Sequence, residues 1–175
     1  MTAVEAYELT TQGGATDFAR LIEACESLGP YCLIGGLAVN CYVEPVYTLD
    51  ADIVVIARRL PELSARLREL GFKIEGHPHS VNAQAPGSDL RIQFTTDERY
   101  QAFPARSAEA EVLGLRARVA RLEDVTQGKL WAYGDPRRRL SKRKKDELDL
   151  IRLAEAHPEL KPGYPSELRE QIERG

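Results

Sequence analysis

The chain has 175 residues, 43% of them apolar and 29% charged, with a formal net charge of −3. That is enough length and apolar content to bury a core, which excludes a disordered or low-complexity chain. No apolar run reaches the length of a membrane span, so no membrane partner is expected. Three cysteines (Cys25, Cys32 and Cys41) lack zinc-type spacing, and the odd number points to a reducing cytoplasm, not a disulfide scaffold. Glu5 and Glu8 stand where a secretion signal would carry basic residues.

Residues 1–14 end in Thr-Thr-Gln-Gly-Gly and are expected to form a flexible lead-in to a single domain over 15–175. Phe18, Leu21, Ile22 and Cys25 recur at helical spacing over 15–28, with Thr16 as the expected cap. A strand over 31–35, a short helix over about 36–43 and a strand over 50–57 follow. Pro61 and Gly71 bracket a helix, proline first and glycine last. Residues 72–75 form a short strand. The stretch 77–88 is rich in Pro, Gly, Ser and Asn and reads as a loop or weak hairpin. Residues 89–95 alternate as a strand, with Asp89, Arg91 and Gln93 on one face and Leu90, Ile92 and Phe94 on the other. The segment 109–119 reads as two strands turning at Gly114. Helices are expected over 122–133, 138–155 and 166–174. The resulting class is α/β (α+β): a mixed β-sheet flanked by helices over 15–120, closed by a helical part over 121–175.

The chemistry concentrates in Tyr-Cys-Leu-Ile-Gly35-Gly36, followed thirteen residues later by Asp50-Ala51-Asp52 and the apolar run 53–56. Side chains alternate along a strand, so Asp50 and Asp52 share a face. Two adjacent carboxylates repel one another. A divalent cation between them removes that penalty, and an oxygen-only ligand set suits Mg²⁺ or Mn²⁺. Glycines at a strand-to-helix turn let a phosphate approach the backbone, where free N–H groups favour an anion. Asp50 and Asp52 are therefore the candidate metal ligands, and Gly35 and Gly36 candidate contacts to a nucleoside triphosphate.

This pattern resembles the nucleotidyltransferase superfamily, and within it the AbiEii-type nucleotidyltransferases of toxin–antitoxin systems. The resemblance runs from about Asp17 to Leu153 and implies two distal elements. One is a lysine, matched by Lys129. The other is a basic residue followed by Asp-x-x-Asp, matched by Lys145-Asp146-Glu147-Leu148-Asp149. It implies a nucleotidyltransferase fold and transfer of a nucleotide to an RNA end, a protein hydroxyl or a small molecule. Asp50, Asp52, Lys129 and Asp149 would be catalytic, an antitoxin protein is an expected partner, and no DNA readout is expected. The resemblance also implies a third carboxylate on a neighbouring strand, for which the strand over 89–95 is the place to look. If Gln93 holds that position, the chain departs from the pattern, because an amide cannot take a proton from an attacking hydroxyl. Asp89 or Asp149 would then have to replace it, or the chain is a non-catalytic nucleotide- or RNA-binding module.

Seven of the nine residues in 137–145 are basic. A solvated helix face explains such a run, as does a polyanion; Arg138 is the phosphate-binding candidate within it. His77 and His79 lack the neighbours of a metal site and read as solvated. Tyr42, Tyr47 and Trp131 are candidates to stack on a base or simply to pack.

Overall fold

The computed structural model describes residues 1–78 and 80–175. Its helices are α1 (Ala3–Thr10), α2 (Gly14–Leu28), α3 (Gly35–Val39), α4 (Leu60–Glu69), α5 (Leu122–Gly134), α6 (Leu140–Ala156) and α7 (Ser166–Arg174). Its strands are β1 (Tyr31–Ile34), β2 (Asp50–Val55), β3 (Lys73–His77), β4 (Ser80–Gln84), β5 (Arg91–Thr95), β6 (Ala108–Val112) and β7 (Leu115–Val119). They form one seven-stranded mixed sheet in the order β3-β4-β5-β2-β1-β7-β6. The β1–β2 pair is antiparallel, while β2–β5 and β1–β7 are parallel.

The elements end where the sequence places its punctuation. Leu113 (φ 50°) and Gly114 (φ 77°) make the two-residue β6–β7 turn, whose positive dihedrals match the twist of a hairpin. Gly71 (φ 92°) follows α4. Along β5, Ile92 and Phe94 are buried while Arg91 and Gln93 face outward, the expected alternation. The core is built from α2, α4 and the central strands, with Phe18, Leu21, Leu33, Ile53, Leu67 and Phe94 fully enclosed. A smaller cluster of Leu150, Ala154, Tyr164 and Leu168 ties α7 to α6.

Two expectations change. The lead-in over 1–14 is helical over Ala3–Thr10. Thr2 and Glu5 form a reciprocal capping box, with Glu5 N donating to Thr2 Oγ1 at 3.1 Å and Thr2 N donating to the Glu5 carboxylate at 2.6 Å. Tyr7, buried, donates its hydroxyl to Thr48 O at 3.0 Å and anchors the helix. The stretch 77–88 holds β4, which pairs with β5 and with β3 and so covers the β5 edge that β2 leaves open. His77 ends β3, and its companion His79 lies outside the described residues.

Candidate active site

Strand pairing builds the site. Ile34, the last residue of β1, is directly opposite Asp52 of β2. Gly35 follows with φ +67°, and a Cβ on it would fall 2.1 Å from Asp52 Oδ2. Glycine is required there twice over, by the left-handed backbone and by the carboxylate pressed against it. Gly36 faces Thr48. Ala51 and Ile53 are fully buried in the sheet, and the alternation turns Asp50 and Asp52 together to the opposite face. Gly35→Ala is expected to lose about 1–2 kcal/mol from the backbone alone and to displace the Asp52 carboxylate. A thermal melt checks the first effect, and metal–nucleotide binding checks the second.

A cavity of about 390 Å³ opens on this face, lined by Gly36, Asp50, Asp52, Lys129, Arg138 and Asp149 among others. Gly35 lines an adjoining cavity of about 220 Å³ that shares Asp52, Gln93, Lys129, Arg138 and Asp146 with the first. The structure thus brings Gly35, Gly36, Asp50, Asp52, Lys129, Arg138 and Asp149 to these two adjoining cavities. Lys129 comes from the middle of α5, Asp146 and Asp149 from one face of α6, and these two helices pack on one another beside α3.

The two β2 carboxylates sit in different fields. Asp50 receives Arg91 Nε at 2.8 Å on one oxygen and Lys142 Nζ at 3.1 Å on the other, with Lys145 Nζ at 3.9 Å. Burial pushes its carboxyl up, but the Lys142, Arg91 and Lys145 charges outweigh that and hold it below the usual range. For Asp52, among the described residues, no ion pair or side-chain hydrogen bond is formed. Burial raises its pKa, and Asp50 adds to the rise; the fields of Lys129, Arg138 and Lys142 offset only part of it. Asp52 is a carboxylate that would be better satisfied with a cation beside it.

Behind it lies a buried charge network. Lys129 Nζ meets Asp149 Oδ2 at 2.8 Å and Asp146 Oδ1 at 3.0 Å, with Lys129 9% and Asp146 1% exposed. Arg138 Nε reaches the other Asp146 oxygen at 2.6 Å, and Arg152 Nη1 reaches Asp149 at 2.9 Å. Burial disfavours the Lys129 ammonium, but Asp149, Asp146 and Asp52 more than restore it and its pKa is raised.

Gln93 pairs with Asp52 across the β2–β5 register, so an amide stands beside the carboxylate on the neighbouring strand. Asp89 precedes β5, accepts from Gln12 Nε2 at 2.9 Å and lines neither cavity. Arg91, Lys142 and the central place of Asp146 escaped sequence reasoning. Arg91 was visible only as an outward residue of β5, its step with Asp50 being set by the parallel β2–β5 register, while Lys142 was one of seven basic residues in its run. Trp131 stacks with Phe103 at 6.0 Å between ring centroids and lies under Arg99, so it packs. Among the described residues, no group of three or more His, Cys, Asp and Glu could hold a metal alone. Two carboxylates do suit Mg²⁺ or Mn²⁺ when phosphate oxygens and water complete the shell, and Asp52, which has no ion pair among the described residues, fits that need.

No family model and no curated protein matches the chain. Solved structures do. ANT(2'')-Ia in complex with adenylyl-2''-tobramycin is similar with a TM-score of 0.60 at 17% identity, over 91% of this chain and 97% of that one. The solution structure of the antibiotic-resistance factor ANT(2'')-Ia gives 0.55 at 16% identity, covering 90% of each chain. An antigenic nucleotidyltransferase-like protein from Paracoccidioides brasiliensis gives 0.53 at 18% identity, over 90% of this chain and 84% of that one. At such identities the likeness is one of fold, and the fold is that of nucleotidyltransferases.

Proposed function

We propose that this protein is a metal-dependent nucleotidyltransferase that moves a nucleoside monophosphate from a nucleoside triphosphate to an acceptor hydroxyl. The observation that carries the reading is Asp52: a half-buried carboxylate pressed against Gly35, without an ion-pair partner among the described residues, facing a cavity otherwise rich in cations. Asp50 and Asp52 would hold Mg²⁺ or Mn²⁺, which supplies charge neutralisation at the phosphates when bound. The Gly35 and Gly36 backbone admits the triphosphate without a Cβ in the way. Arg138 spends its Nε on Asp146, which leaves the rest of its guanidinium fork for phosphate oxygens. Lys129, fixed by Asp146 and Asp149, brings a positive charge to the cavity wall without moving. The acceptor oxygen attacks the α-phosphorus, the bond to the β-phosphate oxygen breaks, pyrophosphate leaves, and the acceptor proton is lost. Most of the catalysis is then positioning and fixed charge.

Asp149 is the carboxylate we assign to that proton. Lys129 and Arg152 hold it in place at the cavity wall. Gln93→Asp adds a carboxylate in register with Asp52 and, with Asp149 already taking the proton, is expected to leave turnover near the wild-type level. Single-turnover rates with labelled nucleotide measure this; a rise on the order of 10²-fold would show that Asp149 does not serve as the base.

The direct test incubates the chain with Mg²⁺, each of the four labelled triphosphates, and total RNA, lysate protein or small-molecule alcohols. Transfer by the wild type and none by Asp52→Asn is the expected result. Gln93 favours a second reading, a nucleotide- or RNA-binding module without turnover. Measurable binding with no transfer for any nucleotide would establish it, and no binding at all would sink both. The AbiEii-like motifs extend the proposal to a toxin paired with an antitoxin protein. Growth arrest on expression of the wild type, relieved by Asp52→Asn, is the corresponding outcome.

A further inference from the structure

We infer that Lys142 of α6 serves the ligand-free protein as a substitute cation on Asp50 and transfers to the triphosphate when metal and nucleotide arrive together. The inference rests on the metal–nucleotide reading above and concerns the order of loading. Lys142 Nζ lies 3.1 Å from Asp50 Oδ2, on the carboxylate assigned as a metal ligand. Its side chain is 36% exposed, in contrast to the enclosed Lys129, so it is free to swing within the cavity it lines.

The position of Lys142 on α6 gives it somewhere to go. Lys142, Arg143, Lys144 and Lys145 crowd the N-terminal end of a seventeen-residue helix, where the helix dipole already favours anions and opposes cations. Arg143 spends its Nε on Tyr133 O and Lys144 its ammonium on Glu147. Lys142 and Lys145 turn instead to Asp50. A triphosphate placed against Asp52 and Arg138 offers these two lysines far more negative charge than one carboxylate does. Arg91 remains on the other Asp50 oxygen at 2.8 Å, so the carboxylate keeps a partner when Lys142 leaves. Free metal must displace Lys142 from Asp50 without bringing it a new anion, whereas a metal–triphosphate complex brings one with it. The two ligands therefore load as a pair.

The test measures Mn²⁺ binding to the full chain by electron paramagnetic resonance, first alone and then with the α,β-methylene analogues of the four triphosphates. Lys142→Met is expected to tighten free Mn²⁺ about two- to fivefold, the range to which a partly exposed ion pair converts. The same change is expected to weaken the Mn²⁺–analogue complex roughly tenfold, as loss of a charged contact does. Lys142→Arg keeps the charge and should leave both affinities near wild type, and ligand-free melting curves confirm that each variant folds. If free Mn²⁺ binds Lys142→Met no more tightly while the wild type binds the complex, the hand-over is wrong and the nucleotidyltransferase reading stands. If the wild type binds no Mn²⁺–analogue complex at all, both fall.

Discussion

Asp52→Asn should melt above the wild type when no ligand is present. Asp52 is held half-buried against Gly35 next to Asp50, and its folded-state pKa is raised by burial first and by Asp50 as well. A raised carboxyl pKa means that the folded state binds the proton more tightly than the unfolded state, so ionised Asp52 costs stability. The cost is absent below the ordinary carboxylate range, develops as pH rises through it, and is complete above the folded-state value. The two proteins should therefore converge near pH 3–4, about the ordinary pKa, and separate at neutral pH. A gain on the order of 1 kcal/mol is typical when a frustrated functional position is relaxed, and in a chain of this length that shifts Tm by about 2–4 °C. The ranking then inverts with ligand. Mg²⁺ and triphosphate should raise the wild-type Tm by mass action and leave Asp52→Asn where it was. Calorimetry across pH, with and without ligand, reads both halves. A ligand-free Asp52→Asn protein that melts below the wild type at pH 7 would show that Asp52 is a structural anion, not a cation site.

Much of this site was legible because its geometry is local. Period-two alternation places Asp50 and Asp52 on one face whatever the rest of the chain does, and Gly35 must follow β1 if its neighbour Ile34 pairs with Asp52. The same logic placed Gln93 outward on β5, but its register against Asp52 depends on a parallel pairing between segments forty residues apart, which no local rule supplies. The capping box at Thr2 and Glu5 was present in the sequence as Thr-x-x-Glu. Burial of Tyr7 under a distant loop is what makes a helix of eight residues worth forming there. β4 was the hardest element. Its sequence is loop-like, and it becomes a strand because β3 and β5 offer it two edges. The basic run 137–145 shows the same limit in charge. Composition marks it as positive, while the packing of α6 against α5 decides that Arg138 turns to Asp146 and Lys142 to Asp50.

Lys129→Met should be the most damaging single change in the charge network, and damaging to the fold before it is damaging to chemistry. Methionine keeps the length and the apolar stem of lysine, so packing along α5 is retained. What is lost is the one ammonium shared by Asp146 and Asp149, both nearly inaccessible to water. Removing one partner of a buried ion pair typically costs about 3–5 kcal/mol, because the charge left behind has been stripped of water. Arg138 on Asp146 and Arg152 on Asp149 keep the cost near the lower end of that range, which corresponds to a fall in Tm of roughly 6–12 °C. The contrast with Lys142→Met, which breaks a partly exposed pair worth about 1 kcal/mol and leaves Arg91 on Asp50, separates burial from charge as the cause. Adding Asp149→Asn to Lys129→Met removes the stranded charge and should recover part of the loss, so the double-mutant cycle should show strong coupling. The pH dependence has a definite sign. The Lys129 pKa is raised in the folded state, burial being outweighed by Asp149, Asp146 and Asp52. Its stabilisation is therefore complete below the ordinary lysine pKa and is lost only as pH climbs through the higher folded value. Wild type should lose its advantage over Lys129→Met above about pH 10; an advantage that disappears near neutrality would mean that the network is held by something other than this lysine.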